Sequence, residues 1–301
     1  MKSGLLPIHK PEGISSARVV ARVKRLLGAK KAGHTGTLDP FATGLLLCGI
    51  NQGTRISRFF LEGHKRYTAR ICLGVETDTC DLTGNPTFTA PKNSLDTLKT
   101  EDVAAAIVSF AGLQDQIPPA FSALKHEGQP LYKLARQGIK IQKPPRQIEI
   151  YDIQILDMEL PYIDVDVFCS AGTYIRTLAF DIGRKLGCGA HLSKLCRTQS
   201  SAFTLETAID LEALERLDKT SAEQRIVPLA DCLDFMPKIS VDESIAKKIQ
   251  YGQRLTIDEI GPPPAGPDQS IRLIDENYQL LAIIQFAENR REFNYSCVFS
   301  R

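Results

Sequence analysis

The sequence predicts an α+β fold, in which a mixed, largely antiparallel sheet flanked by helices precedes a small β-rich C-terminal module. Stretches with strand character outnumber the long helical stretches and rarely alternate with them, unlike in a parallel α/β fold. With 301 residues, 43% of them hydrophobic, the chain can form one large domain and a smaller one. The turn-rich segment 261–267, G-P-P-P-A-G-P, lies among short strands near the C-terminus.

The first predicted helix spans residues 15–28 and has a basic face. Ser15 or Ser16 caps its start, apolar residues recur at helical spacing, and Gly28 ends it. Arginines occupy the opposite face, and two lysines follow the helix directly. The first candidates for contact with a polyanion are therefore Arg18, Arg22, Lys30 and Lys31.

Apolar runs and alternation predict the elements that follow. A short apolar run spans 45–50, and strands are expected at 68–74, 148–156 and 163–169, the first of which begins just after Tyr67. Helices are expected at 101–111 and from near Tyr174 to Gly187. A boundary at 235 divides the chain into a main domain, 1–235, and a module, 236–301, with a helix at 242–251 and strands at 270–274, 280–286 and 294–299. Alternatively, the apolar segment 280–286 is a buried strand of the main core.

Composition excludes several classes of protein. No apolar run approaches the roughly 18 residues that a membrane-spanning helix needs. The N-terminus, M-K-S-G-L-L-P, is too short and too interrupted by proline for a signal peptide, so we expect a cytoplasmic protein without membrane contact. The 8 cysteines include no C-x-x-C pair and no spacing typical of zinc, so we expect free thiols and no metal site.

The charge is unevenly distributed, although the net charge is only +2. Residues 1–76 contain 13 Lys or Arg and 4 Asp or Glu, a balance of +9, so the remainder carries −7. A second basic segment between 117 and 147 contains Lys125, Lys133, Arg136, Lys140, Lys143 and Arg146, against Glu127 alone. This asymmetry indicates a polyanionic ligand on one face, the alternative being a solvated basic surface.

The segment 33–46, G-H-T-G-T-L-D-P-F-A-T-G-L-L, places one carboxylate in a loop rich in glycine and threonine. Pro40 disfavours helical backbone at Asp39, and the glycines allow a ligand to approach the backbone closely. Such a loop can hold Asp39 outward as a reactive group. An ordinary Asp-Pro turn is the alternative.

Several motifs resemble one family in order along the chain. They are H-K-P-E-G-I-S-S (9–16), G-T-L-D-P-F-A-T-G-L-L (36–46), K-R-Y-T-A (65–69), T-D-T-C-D-L-T-G (77–84), P-P-A-F-S-A (118–123), S-A-G-T-Y-I-R-T-L (170–178) and H-L-S-K-L-C-R-T (191–198). Together they resemble the bacterial tRNA pseudouridine synthase B family, which modifies uridine 55 in the T-loop of tRNA. The resemblance implies isomerisation of uridine by base flipping, without a cofactor.

The same resemblance implies roles for individual residues. Asp39 is the catalytic carboxylate, whether it attacks C6 or C1′ or supports a glycal route. Tyr67 stacks on the flipped uracil, Arg176 pairs with Asp39, and His34 contacts RNA. Tyr174 and Leu195 shape the uracil pocket. From residue type alone, Tyr67, Tyr174 and Leu195 would be core residues, Arg176 a surface residue, and His34 a general base.

The implied partner is the T-arm stem-loop of tRNA, and no protein partner is expected. The basic residues then contact the RNA backbone, and Lys125 and Arg136 join those of the first helix. The position of residues 236–301 suggests a PUA-like RNA-binding accessory. Basic surfaces and such a module would also fit an RNA-binding or tRNA-chaperone protein that lacks catalysis.

Two further alternatives remain at this stage. The segment 28–35, G-A-K-K-A-G-H-T, imitates a phosphate-binding loop, but His34 replaces the required lysine and a helix precedes it. A guide-RNA-dependent relative of the same family is the other, and the compact chain without basic tails favours the standalone type.

Overall fold

A large mixed sheet runs through the centre of the protein. The computed structural model describes residues 2–91, 93–139, 141–264 and 269–299. The strands are β1 Gly4–Lys10, β2 Ala32–His34, β3 Thr43–Ile50, β4 Lys65–Leu73, β5 Val75–Thr77, β6 Pro86–Thr89, β7 Gly112–Gln116, β8 Lys125–His126, β9 Gln129–Pro130, β10 Arg146–Glu159, β11 Tyr162–Cys169, β12 Ala190–Ser200, β13 Phe203–Thr204, β14 Ile209–Asp210, β15 Val227–Pro228, β16 Lys238–Ser240, β17 Leu255–Thr256, β18 Ser270–Ile274, β19 Leu280–Ala287 and β20 Glu292–Val298.

Among the described residues, eleven strands form the main sheet. Eight follow the order β14-β1-β3-β12-β4-β11-β10-β7, while β2, β13 and β15 pair at its margins. The β1–β14 and β3–β12 pairs are parallel and the other pairs are antiparallel. The predicted α+β class with a mixed, largely antiparallel sheet is therefore confirmed.

Helices flank this sheet. The described helices are α1 Ser16–Leu27, α2 Ser57–Leu61, α3 Thr100–Val108, α4 Leu131–Arg136, α5 Ile175–Lys185, α6 Leu211–Glu215, α7 Lys219–Gln224, α8 Leu229–Cys232, α9 Glu243–Gln250 and α10 Ile257–Ile260. The last two pack with the strands of the C-terminal module. The main core includes α1, α3 and α5 on the sheet, with Leu178 and Ile182 of α5 buried with Ile71 and Val165. No helix in the described part of the chain is long and apolar enough to cross a membrane.

Helix α1 has the capping predicted from its sequence. The Ser15 side chain accepts a hydrogen bond from the Arg18 amide, which satisfies one of the free donors of the first turn. Gly28 ends the helix at φ 61°, a left-handed conformation that a residue with a Cβ adopts only with strain. The segment after α1 leads into β2, and a helix precedes it, so the phosphate-binding-loop hypothesis is wrong.

Several predicted bounds are corrected by the structure. Strand β4 begins at Lys65, so Tyr67 lies within it and pairs with Val167 and Arg197 of the neighbouring strands. The charge of Lys65 concealed this start, but the ammonium is buried and donates to the carbonyls of Phe60 and Gly63. Helix α3 ends at Val108, because Gly112 already begins β7.

The C-terminal module has its own sheet, in the order β16-β18-β19-β20-β17, and its own apolar core. Strand β19, the apolar segment considered above, belongs to this sheet and not to the main one. Yet the module also shares an apolar cluster with the main sheet, in which Leu5 and Leu47 are buried with Ile283 and Phe299. The C-terminal module thus has its own sheet, as first predicted, and also packs against the main core, as the alternative interpretation required. The boundary at 235 and the PUA-like identity stay predictions, and residues 265–267 of the connector lie outside the described residues.

Candidate active site

A cavity of about 340 Å³ opens where the loop before β3, the strands β4 and β12, and the start of α5 meet. Five of the six residues predicted at the reaction site line it: Asp39, Tyr67, Tyr174, Arg176 and Leu195. These residues are separated by up to 156 positions in the sequence, so the fold alone brings them together. A volume of this size is in the range of small-molecule sites.

The Asp39 loop is fixed by hydrogen bonds to its backbone. The Ser16 hydroxyl donates to the Leu38 carbonyl (2.9 Å) and accepts from the Leu38 amide (2.8 Å). The fully buried Lys10 ammonium donates to the Pro40 carbonyl at 3.1 Å and also to the carbonyls of Pro11 and Ile14. Burial lowers the pKa of Lys10 to about 8. These contacts fix the backbone of the loop and do not use the carboxylate oxygens of Asp39.

Arg176 faces Asp39 from the first turn of α5. Its Nε lies 2.9 Å from Oδ2 of Asp39, and Nη2 lies 3.5 Å from Oδ1. The guanidinium also donates to the carbonyls of Thr79 (2.7 Å) and Phe121 (2.8 Å), and it lies 3.5 Å from Asp81 Oδ2. With 3% of its side chain exposed, Arg176 is fixed on every side. This arrangement aims one carboxylate into the cavity.

The electrostatics of Asp39 are those of a partly desolvated carboxylate. Burial raises its pKa, Arg176 opposes that effect, and the nearby charge of Asp81 adds to it. The side chain nevertheless keeps 34% of its surface exposed, on the cavity side. A ligand that fills the cavity would remove this remaining water contact. The charge of Asp39 thus depends on Arg176, and a perturbed carboxyl in a cavity is a candidate reactive group.

Tyr67 and Leu195 form the wall behind the carboxylate. Tyr67 is 9% exposed, and burial raises the pKa of its hydroxyl while the nearby Arg197 opposes this effect. Arg197 is buried, and it donates to the carbonyls of Leu45 (2.7 Å) and Gly36 (3.1 Å). Sequence reasoning missed Arg197. The signal was its position two residues after Leu195, which places both on one face of β12.

Tyr174 precedes α5 and is held by a residue that the sequence analysis also missed. The buried side chain of Gln116 accepts from the Tyr174 amide (2.8 Å) and donates to the Tyr174 carbonyl (3.0 Å). The amide group of Gln116 thereby replaces a backbone partner, and it fixes the residue that turns the chain into the helix. The ring of Tyr174 lines the cavity.

His34, the sixth predicted residue, does not line the cavity. It lies in β2 and pairs with Cys48 of β3. Burial lowers the pKa of His34, and the charge of Arg197 lowers it further, which favours the neutral imidazole. Contact between His34 and RNA stays a prediction.

The predicted backbone-binding residues occupy two surfaces. Arg18 and Arg22 line an open groove of about 650 Å³ on α1, together with Arg25. Arg22 is already paired there, because its Nε donates to Glu215 at 2.6 Å. Outside the groove, four predicted residues have exposed side chains: Lys30, Lys31, Lys125 and Arg136. Lys140 of the second basic segment lies outside the described residues, and RNA contact stays a prediction for all of them.

In the described part of the chain, no group of three or more His, Cys, Asp or Glu side chains is arranged to hold a metal ion. The chemistry that the cavity offers is that of one aimed carboxylate. It is accompanied by a guanidinium, a buried phenol and apolar walls.

Two family models match adjoining parts of the chain. The N-terminal domain of the TruB family pseudouridylate synthases matches residues 24–175. The tRNA pseudouridylate synthase B C-terminal domain matches residues 176–235. The two matches meet at Arg176, so the ion pair between Asp39 and Arg176 joins residues from both.

Curated relatives named tRNA pseudouridine synthase B are similar over most of their length. The relative from Nitrosococcus oceani is 40% identical over 301 residues, which cover 99% of this chain and 95% of the relative. That from Syntrophotalea carbinolica is 43% identical over 258 residues, covering 86% and 83%. That from Bordetella avium is 48% identical over 219 residues, covering 73% and 89%.

Solved structures share the fold. In a Cbf5–Nop10–Gar1 complex, the similar chain has a TM-score of 0.73 at 26% identity, and the match covers 99% of this chain and 83% of the other. In an archaeal box H/ACA Nop10–Cbf5 complex, the TM-score is 0.74 at 25% identity, with 99% and 86% covered.

Proposed function

The chain belongs to the TruB family of pseudouridylate synthases, and we propose that it converts the uridine at position 55, in the T-loop of tRNA, to pseudouridine. The observation that carries the proposal is the Asp39–Arg176 pair, aimed into a cavity of about 340 Å³. The names of the curated relatives support tRNA as the substrate. Such a substrate places the reaction in the cytoplasm.

The reaction is an isomerisation, so no group donor enters. The bond between N1 of uracil and C1′ of ribose breaks, the base turns, and C5 bonds to C1′. A proton leaves C5 and one is taken up at N1, which balances the step. Asp39 is the group that acts on the nucleotide, at C6, at C1′ or through a glycal. Arg176 holds it ionised and oriented.

The cavity walls serve the detached base. The uridine has to leave the RNA stack to reach Asp39, and the ring of Tyr67 offers a stacking surface in return. Base–aromatic stacking contributes about 1–3 kcal/mol, which is comparable to the cost of unstacking one nucleotide. Leu195 and Tyr67 keep water away from the base while it turns.

The RNA is held outside the cavity by the basic residues of α1 and by the exposed basic residues of the 125–146 segment, which contact phosphates of the T-arm. The proposed reaction requires no protein partner. The identity of 40–48% to relatives named tRNA pseudouridine synthase B supports the standalone type over the Cbf5 type, for which the identity is 26%. A protein that only bound RNA would gain nothing from a partly desolvated carboxylate, so the geometry favours catalysis.

The test is incubation with an unmodified tRNA transcript and, in parallel, with its T-arm stem-loop alone, followed by mapping of pseudouridine at nucleotide resolution. We expect modification of uridine 55 in both RNAs. Modification at another position, or absolute dependence on the rest of the tRNA, would contradict the proposed substrate.

A further inference from the structure

One guanidinium in the cavity has no acceptor among the residues that the structure describes. Among the described residues, four cationic side chains line the cavity: Lys65, Arg146, Arg176 and Arg197. All but Arg146 donate to carbonyls or carboxylates of the protein. The side chain of Arg146 forms no hydrogen bond or ion pair in the described part of the chain, and its Nε is buried without a partner. A desolvated donor of this kind is costly unless a ligand satisfies it.

The position of this guanidinium is determined by its neighbours. Its Cζ lies 4.6 Å from the centre of the Tyr174 ring, a cation–π contact. The backbone of Arg146 begins β10 and pairs with Gln116, whose side chain holds Tyr174. Gly172 leaves the necessary space, because a Cβ there would lie 3.1 Å from the guanidinium and its φ is 85°. Four residues from three segments thus form one rigid unit.

We infer that Arg146 binds a phosphodiester next to the extruded uridine, an inference that rests on the proposed function. A nucleotide that enters the cavity brings a charged phosphate on each side of its ribose. The planar fork of arginine donates to two phosphate oxygens at once, and stacking on Tyr174 orients that fork. Arg176 cannot serve this purpose, because its donors are directed to Asp39 and to two carbonyls.

Arg146 and the surface lysines contact different phosphates of the RNA. The surface residues contact phosphates of the paired stem, whereas Arg146 contacts a phosphate that adjoins the flipped nucleotide. The difference is visible with T-arm stem-loops that carry an uncharged methylphosphonate linkage on the 5′ or the 3′ side of the target uridine. The nucleotide on the 5′ side of each methylphosphonate carries 2′-deoxyribose. The control stem-loop has the same deoxyribose but an ordinary phosphate at that linkage.

The experiment measures the Kd of these stem-loops for the full chain carrying Asp39→Asn, so that no turnover occurs during the titration. Adding Arg146→Gln should weaken binding of the ordinary stem-loop about tenfold or more, since a charge-assisted contact is lost. It should also reduce the slope of log Kd against log salt by about 0.7–0.9. With the methylphosphonate at the contacted linkage, Arg146→Gln should have less than about a twofold further effect. Lys133→Gln, an exposed control in α4, should weaken binding equally with every linkage.

An equal effect of Arg146→Gln on all stem-loops, with an unchanged salt slope, would indicate contact with an uncharged group such as a uracil carbonyl and would overturn the inference. If neither methylphosphonate weakens binding by the protein that retains Arg146, the inference is wrong even where Arg146→Gln does not fold. Failure of the proposed function is distinguishable, because the wild-type protein would then leave uridine 55 of the ordinary stem-loop unmodified.

Discussion

Replacing Arg176 with lysine keeps the positive charge and removes the fork. The guanidinium contacts both oxygens of Asp39, at 2.9 and 3.5 Å, and two backbone carbonyls on the other side. An ammonium has three donors on one atom and cannot reach both the carboxylate and the two carbonyls from one position. Either Asp39 or the carbonyls of Thr79 and Phe121 then lose their donor.

The magnitude follows from these contacts. A hydrogen bond to a charged group contributes about 1.5–3 kcal/mol, so losing two would cost about 3–6 kcal/mol. The 3.5 Å contact is long, which places the expected loss in the lower half of that range. At 1.36 kcal/mol for each factor of ten, the rate of the chemical step should fall by about 10²–10³.

The assay is single-turnover formation of pseudouridine with enzyme in excess over unmodified tRNA, accompanied by a Kd from tRNA titration. The rate should fall as stated and the Kd should change less than about threefold, since Arg176 has too little exposed surface to hold RNA phosphates. Arg184→Lys is the matched control, because Arg184 lies on the same helix and pairs with Glu76 outside the cavity. A normal rate for Arg176→Lys would refute the proposed role of the pair.

Three other predictions follow from the same site and from the module. Tyr67→Phe keeps the stacking ring, so it should bind tRNA normally but turn over slowly, whereas Tyr67→Leu should lose both; equal, near-normal rates would make Tyr67 a core residue only. Because burial raises the pKa of Asp39, the carboxylate should become protonated, and the single-turnover rate should drop, at a pH above the usual pKa of an aspartate. The charge of Asp81 also raises this pKa, so Asp81→Asn should move the drop to lower pH. An unchanged pH profile would show that Asp81 does not influence the reaction. Ending the chain at 235 uncovers Leu5 and Phe60, so the melting temperature or the soluble yield should fall, and an undiminished melting temperature would show that the shared cluster contributes little.

Elements whose ends are determined by their own residues were predicted correctly, whereas some strands held by distant partners were not. The caps of α1 lie within its own sequence, so both ends were predicted correctly. Strand β4 began earlier than predicted, because the pairing of Tyr67 with two neighbouring strands outweighs the charges at its start. Strand β7 was missed, since G-L-Q-D-Q has little strand character and is held by its pairing with β10.

The residues of the candidate site could be brought together only by the family resemblance, and not by local sequence patterns. Charge and turn chemistry singled out the Asp39 loop, but its pairing with Arg176 came from the family resemblance, because 137 positions separate the two residues. Gln116 and Arg197 were missed because their roles lie in contacts with distant backbone. The spacing of Arg197 from Leu195 would have placed it on the same face of the strand, but no spacing pattern points to Gln116. Residue type alone would have made the half-buried His34 a general base, and the structure places it outside the cavity lining.

The most direct test of the central claim is the Asp39→Asn variant, measured for pseudouridine at position 55 under single-turnover conditions and for tRNA affinity. The amide keeps the shape of the side chain and removes its charge, so the protein should bind tRNA as before and form no measurable pseudouridine. Turnover by Asp39→Asn at the wild-type rate would contradict the account, because the carboxylate aimed into the cavity would then have no part in the reaction.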